Sequence, residues 1–114
     1  MREFYAQGDV LVERVPDVPV SGAPLARSAD GAVVVAEGEL TGHRHAIYGD
    51  VCFFRDDGLA RDIPGGLYAG HLRVDAPTAE LVHDEHDPIT LERGTYRIRV
   101  QRELDPKEAR IVAD

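Results

Sequence analysis

From Thr95 to Gln101 the chain alternates without a break, with Tyr96, Ile98 and Val100 set between Thr95, Arg97, Arg99 and Gln101. A period of two is the mark of an extended strand with one dry and one wet face, because successive side chains on a pleated backbone point to opposite sides. Such a strand needs an apolar layer to lie against, and the rest of the chain supplies short β-branched and apolar runs. Val10–Val15, stopped by Pro16, reads as the first strand. Ala32–Ala36 reads as a strand buried on both faces, and Val51–Arg55 as a hairpin arm with Asp56-Asp57-Gly58 at its tip. Leu67–Val74 is a strand with Gly70 at a bulge. Pro77 then resets the chain, Glu80–His83 is a further short strand, and Pro88–Leu91 leads into a turn at Glu92-Arg93-Gly94. The proline- and glycine-rich stretch Pro16–Gly31 cannot hold a regular ladder and predicts a mobile loop. Asp105-Pro106-Lys107-Glu108 carries a capping carboxylate, proline at the first helical position and Glu three residues past the cap, which predicts a short helix through Val112. About eight short strands separated by turn signals predict an all-β fold, a small antiparallel β-barrel or roll with a short C-terminal helix.

A chain of 114 residues, 43% of them hydrophobic, suffices for one core, so residues 1–114 read as a single domain. Thirteen Lys and Arg against 21 Asp and Glu give a net charge of −8. That field repels phosphate backbones and anionic lipid, which argues against nucleic acid and membrane as partners. The start of the chain, Met1–Ala6, is short and polar, unlike a signal peptide, and no apolar run approaches the roughly 20 residues that cross a bilayer. One cysteine, Cys52, allows no intrachain disulfide, so a reducing, cytoplasmic setting is expected. Flanked by Val51 and Phe53, with no adjoining cation to lower its pKa, Cys52 reads as a small apolar residue and not as a nucleophile. No Walker-type phosphate loop and no Gly-x-Ser-x-Gly elbow occurs, which sets those routes of phosphoryl and acyl transfer aside.

Histidine is the exception in an otherwise ordinary composition. Four of the five histidines fall in two tight groups, His43-Arg44-His45 and His83-Asp84-Glu85-His86. On a strand, His43 and His45 share one face, as do His83 and Glu85, and His86 joins them if the chain turns there into Asp87-Pro88. Three or four imidazoles with one carboxylate suit a divalent transition metal, whether Zn, Fe, Ni, Cu or Mn. The candidate ligands are His43, His45, His83 and His86, with Glu85 a further ligand or the general base. An open coordination position would allow the metal to activate water or dioxygen, or to polarise a small-molecule substrate; a filled one would make a structural staple. The same histidines also read as surface or hydrogen-bonded core residues. His71 stands alone and reads as structural. Arg97 and Arg99 read as a solvated strand face.

Gly38-Glu39-Leu40-Thr41-Gly42-His43-Arg44-His45, followed by Asp50, resembles the first cupin motif, a glycine before a His-x-His pair and an acid a few positions later. The resemblance implies a small β-barrel holding a divalent metal, with His43 and His45 as ligands and Asp50 as a third. The second cupin motif is missing or replaced by His83–His86. Asp9–Arg14, the loose loop, Gly31–Gly38 and Gly49–Phe54 are together similar to the small co-chaperonins that cap chaperonin rings. That likeness implies a non-catalytic oligomeric scaffold in which the loop at 16–31 contacts a partner and edge strands pair between subunits. The overall run also resembles a group of small uncharacterised bacterial proteins. A homo-oligomer is expected under either reading.

Overall fold

Up to Val100, the alternating segment forms the C-terminal half of a longer strand in a computed structural model that describes residues 3–22, 24–37, 43–64 and 66–100. In chain order the strands are β1 (Phe4–Gln7), β2 (Val10–Val15), β3 (Val33–Glu37), β4 (Arg44–Ile47), β5 (Val51–Phe54), β6 (Tyr68–Val82) and β7 (Ile89–Val100), with one 3-10 turn at Asp57–Leu59. All seven belong to one antiparallel sheet in the order β1-β2-β7-β6-β4-β3, with β5 also paired to β6. The order has two ends, because β1 pairs with β2 and β3 with β4, so the sheet is not closed. The expected barrel is corrected to an open, antiparallel sheet. No α-helix occurs among the described residues, and the helix expected at 105–112 lies outside them.

Two long strands replace several expected short ones. β6 runs for 15 residues through Pro77, and β7 for 12 residues through Gly94. Val74 is opposite Gly94 and Thr78 opposite Glu92, so residues 75–77 face only residue 93 across the ladder. Pro77 falls inside this irregularity, where the missing backbone N–H costs no ladder bond. The supposed chain reset at Pro77 and the supposed turn at Gly94 are thus one bend shared by two paired strands. Such bulges bend a strand and sharpen its twist. Because of the bend, one edge of β6 serves two partners, β5 along Phe54↔His71 to Val51↔Val74 and β4 at Ile47↔Leu81 and Ala46↔Val82.

The inner face carries the core. Val10 and Val12 of β2, Val33 and Val35 of β3, Ile47, Phe53, Leu72, Leu81, Leu91, Tyr96 and Ile98 are all buried and pack as one cluster. β3 is dry on one face only, since Val34 and Ala36 are half-buried, which revises the reading of a strand buried on both sides. Behind the sheet, Ala60, Ile63 and Tyr68 form a second, smaller cluster. Arg97 points outward but is not solvated: its guanidinium donates to Glu13, to Asp62 and to the Leu59 carbonyl.

The described residues of the loop at 16–31, expected from sequence to be mobile, form no strand and are hydrogen-bonded to the rest of the chain at several points. Thr95 donates to Asp17, Ser21 to Asp56, the Leu25 N–H to the Phe53 carbonyl, and Arg27 to the carbonyls of Gly31, Gly49 and Val51. It is a strap laid across β5, because its polar side chains replace the ladder that its prolines forbid.

Gly70 shows how tightly β5 and β6 approach. A methyl group there would stand 2.6 Å from the Phe53 ring. Gly70→Ala is therefore expected to lower unfolding free energy by about 1–3 kcal/mol through overpacking, measured by urea denaturation; a stability equal to that of the native chain would contradict this packing.

Candidate metal site

The two histidine groups meet. β4 positions His45 on the inner face, where it is buried, while His43 just before the strand is half-buried. The connection from β6 to β7 carries His83, Glu85 and His86, and it folds back because Val82 ends a ladder with β4 that delivers it beside His45. His83 lies at the centre, with ring centroids 4.3 Å from His45, 4.7 Å from His86 and 5.6 Å from His43. Imidazoles bound to one ion through bonds of about 2.0–2.1 Å hold their centroids about 5 Å apart. The spacing is therefore of the right size for a shared ion.

A third chain segment also reaches the cluster, and nothing in the histidine pattern announced it. Gly8-Asp9 is the two-residue turn between β1 and β2, with Gly8 at a positive φ of 59° that suits the first turn position of a hairpin. A Cβ on Gly8 would lie 2.7 Å from His86 Nε2 and 3.5 Å from His45 Cε1. Only a glycine lets the turn lie against both rings.

His45 is held at both nitrogens. The Gln7 amide nitrogen donates to the carbonyls of Leu81 and Asp87, at 3.0 and 2.9 Å, so its oxygen is the atom turned towards His45 Nδ1 at 2.8 Å. The oxygen can only accept, which places a proton on Nδ1. The other nitrogen, Nε2, faces the Asp9 carboxylate at 3.2 Å. Burial, and next the neighbouring His83, push the His45 pKa down, while Asp9 opposes them. His83 is lowered too, by desolvation and then by His86 and His43. Metal ligation requires neutral imidazole, and both shifts favour that form.

The remaining donors are engaged locally. Glu85 accepts from His43 Nδ1 at 2.6 Å, and its backbone N–H donates to His83 Nδ1 at 3.0 Å. As the side chains stand, no three His, Cys, Asp or Glu groups among the described residues form a ready ion cage. Asp50, the third ligand implied by the cupin resemblance, is at the far end of β4, where its carbonyl accepts from the Asp75 N–H. Residues 38–42, which carry the glycine-led part of that motif, lie outside the described residues. Cys52 is half-buried on β5, opposite Arg73.

The chain belongs to the family described as a domain of unknown function, DUF8820. The match covers residues 6–101 and so includes Gln7, Gly8, Asp9 and all the histidines. No curated protein and no solved structure matches the chain. Within the DUF8820 region the fifth histidine, His71, takes no part in the cluster. It is buried behind the sheet, stacked on Phe54, with Nδ1 2.6 Å from the Tyr68 hydroxyl. The Asp56 N–H donates to that hydroxyl, which leaves the Tyr68 O–H able to donate to His71 Nδ1 when that nitrogen is unprotonated.

Two measurements follow from these contacts. Gln7→Leu leaves the buried Leu81 carbonyl, the Asp87 carbonyl and the His45 Nδ1–H without their partner and is expected to destabilise the fold by about 1–3 kcal/mol; an unchanged urea midpoint would refute the bridge. His71 and His45 both have pKa values pushed below the usual 6.5, chiefly by burial. The unfolded chain then binds more protons near and below that pH, so stability is complete above it and declines on acidification. The melting temperature should fall from neutral to mildly acidic pH, with a shallower fall in His71→Gln; identical slopes for the two proteins would contradict the His71 contribution.

Proposed function

We propose that the protein binds a divalent transition metal at the histidine cluster, and the convergence of four imidazoles from two distant chain segments carries this reading. Imidazole and carboxylate donors suit Zn, Ni, Cu, Fe or Mn, and the cluster has no thiolate to narrow the choice. The site lies at the surface: His86 and Glu85 are exposed, and a cleft of about 150 Å³ beside it is lined by Arg44, Ala46, Tyr48, Val82, His83 and Asp84. A bound ion there would keep a position open to water or to a small-molecule substrate, and would polarise it. Glu85, which accepts a hydrogen bond from His43 Nδ1, is the group placed to act as general base. Loading exchanges a present hydrogen bond for coordination, since His83 must give up the Glu85 N–H, whereas His43 bonds Glu85 through Nδ1 and can ligate by its other nitrogen without leaving it. The change falls on the short turn at 83–88. The scaffold reading draws less support, because the loop it would use to reach a partner is hydrogen-bonded along β5 and to the sheet.

The test is calorimetric titration of chelator-treated protein with zinc and nickel chlorides. One ion per chain is expected, with affinity reduced tenfold or more in His83→Ala and His86→Ala, whose side chains lie outside the core. Absence of binding by the native chain, or equal binding by both variants, would overturn the proposal.

A further inference from the structure

Among the described residues, the histidine cluster draws candidate ligands from three chain segments to one place. The polar cleft bordered by Glu3, Glu13, Arg14, Asp62 and Arg97 is built differently, since Arg97 there already donates to Glu13, Asp62 and the Leu59 carbonyl. At His45 both ring nitrogens are engaged. Nδ1 donates to the Gln7 amide oxygen, and Nε2 faces the carboxylate of Asp9, a pair that a proton on Nε2 or a metal ion can bridge. Their separation is 3.2 Å. Two donors bound at about 2.0–2.1 Å to a tetrahedral ion lie about 3.3 Å from each other, so the pair already has the spacing of two ligands of one ion.

We infer that Asp9 is the carboxylate ligand of the metal, beside His45 and His86, and that the ion latches the open side of the sheet. This rests on the metal-binding reading above and adds to it a ligand, a donor order and a role. His86 is the third member because its Nε2 and the His45 ring approach the same face of Gly8, the residue preceding Asp9. Asp9, already against His45 Nε2, and His86 are exposed at the mouth of the cluster, whereas His45 is buried and held by Gln7. Gln7 is then a positioning residue: its amide oxygen does for His45 what a carbonyl or carboxylate commonly does for a metal-bound imidazole, holding one nitrogen so that the other faces the ion.

The topology gives the ion its mechanical role. Asp9 connects β1 and β2 at one end of the strand order, while His45 belongs to β4 near the other end. An ion shared by Asp9, His45 and His86 ties the β1–β2 turn to β4 and to the β6–β7 connection across the side that the sheet leaves open. β1, a four-residue end strand paired to β2, is the element whose opening such a bond restrains.

The experiment titrates zinc chloride into the native chain, Asp9→Asn and Asp9→Glu, and follows backbone amide exchange in β1 with and without zinc. Expected are a tenfold or greater loss of affinity in Asp9→Asn, partial recovery in Asp9→Glu, and zinc-dependent slowing of β1 exchange in the native chain alone. The side-chain carboxyl carbon resonance of Asp9 in the native chain should shift on zinc addition, a reading independent of how the variants fold. Zinc binding by Asp9→Asn with native affinity, together with an unmoved Asp9 resonance, overturns the assignment while leaving the histidine site standing. Failure of the native chain to bind zinc overturns both, and zinc binding without slower β1 exchange overturns the latch.

Discussion

Everything in this fold hangs on a strand that bends. β6 pairs with β7 along nearly its whole length, and its other edge is divided between β5 and β4 on the two sides of the irregularity around Pro77. Were β6 straight, those two partners would continue one flat surface and the inner cluster of Leu72, Val74, Leu81 and Leu91 would face water. The bend turns the two halves towards a common interior, and hydrophobic burial of that aliphatic layer rewards it. It also decides where the β6–β7 connection ends, which is against the start of β4 and the first hairpin turn.

The site follows from this geometry through a single amide. Gln7 is a buried polar residue, and such a residue is tolerated only with its hydrogen bonds made. Its partners come from β6, from the connection after it and from β4, so one side chain couples the register of the end strand to the orientation of the His45 imidazole. Position and chemistry are therefore the same problem at this point. A shift of β1 along β2 by one residue would turn Gln7 away from its acceptors and remove the restraint on His45.

The strand content of the chain is plain in its residues, and its continuity is not. The alternation around Tyr96 and Ile98 and the β-branched run at Val10–Val15 mark strands because burial on one face imposes a period of two. Pro77 and Gly94 read as breakers for an equally local reason, and their effect is cancelled only by lying opposite each other in a ladder, a relation that no single segment displays. The helix signal at 105–108 falls beyond the described residues. At the site, the His-x-His pair and the His83–His86 group were visible from clustering and spacing, and the rings do converge. Gln7, Gly8 and Asp9 were not visible: Gly-Asp between two apolar stretches is an ordinary hairpin turn, and which surface that turn folds against is a property of the whole sheet. The hydrogen bonds of the Pro16–Gly31 loop were likewise not legible, since Arg27 finds carbonyl acceptors at Gly49 and Val51 only once β5 is in place.

The bond from the Gln7 amide to the Asp87 carbonyl spans 80 positions of the chain. Such contacts add little to the entropy of closing a loop once it is long, but that entropy must be spent before they return anything. The imidazole cluster consequently belongs to the last stage of assembly, after both ends of the domain have been brought together. A nascent or truncated polypeptide lacking the β6–β7 connection would carry the first hairpin and His45 yet no assembled imidazole cluster.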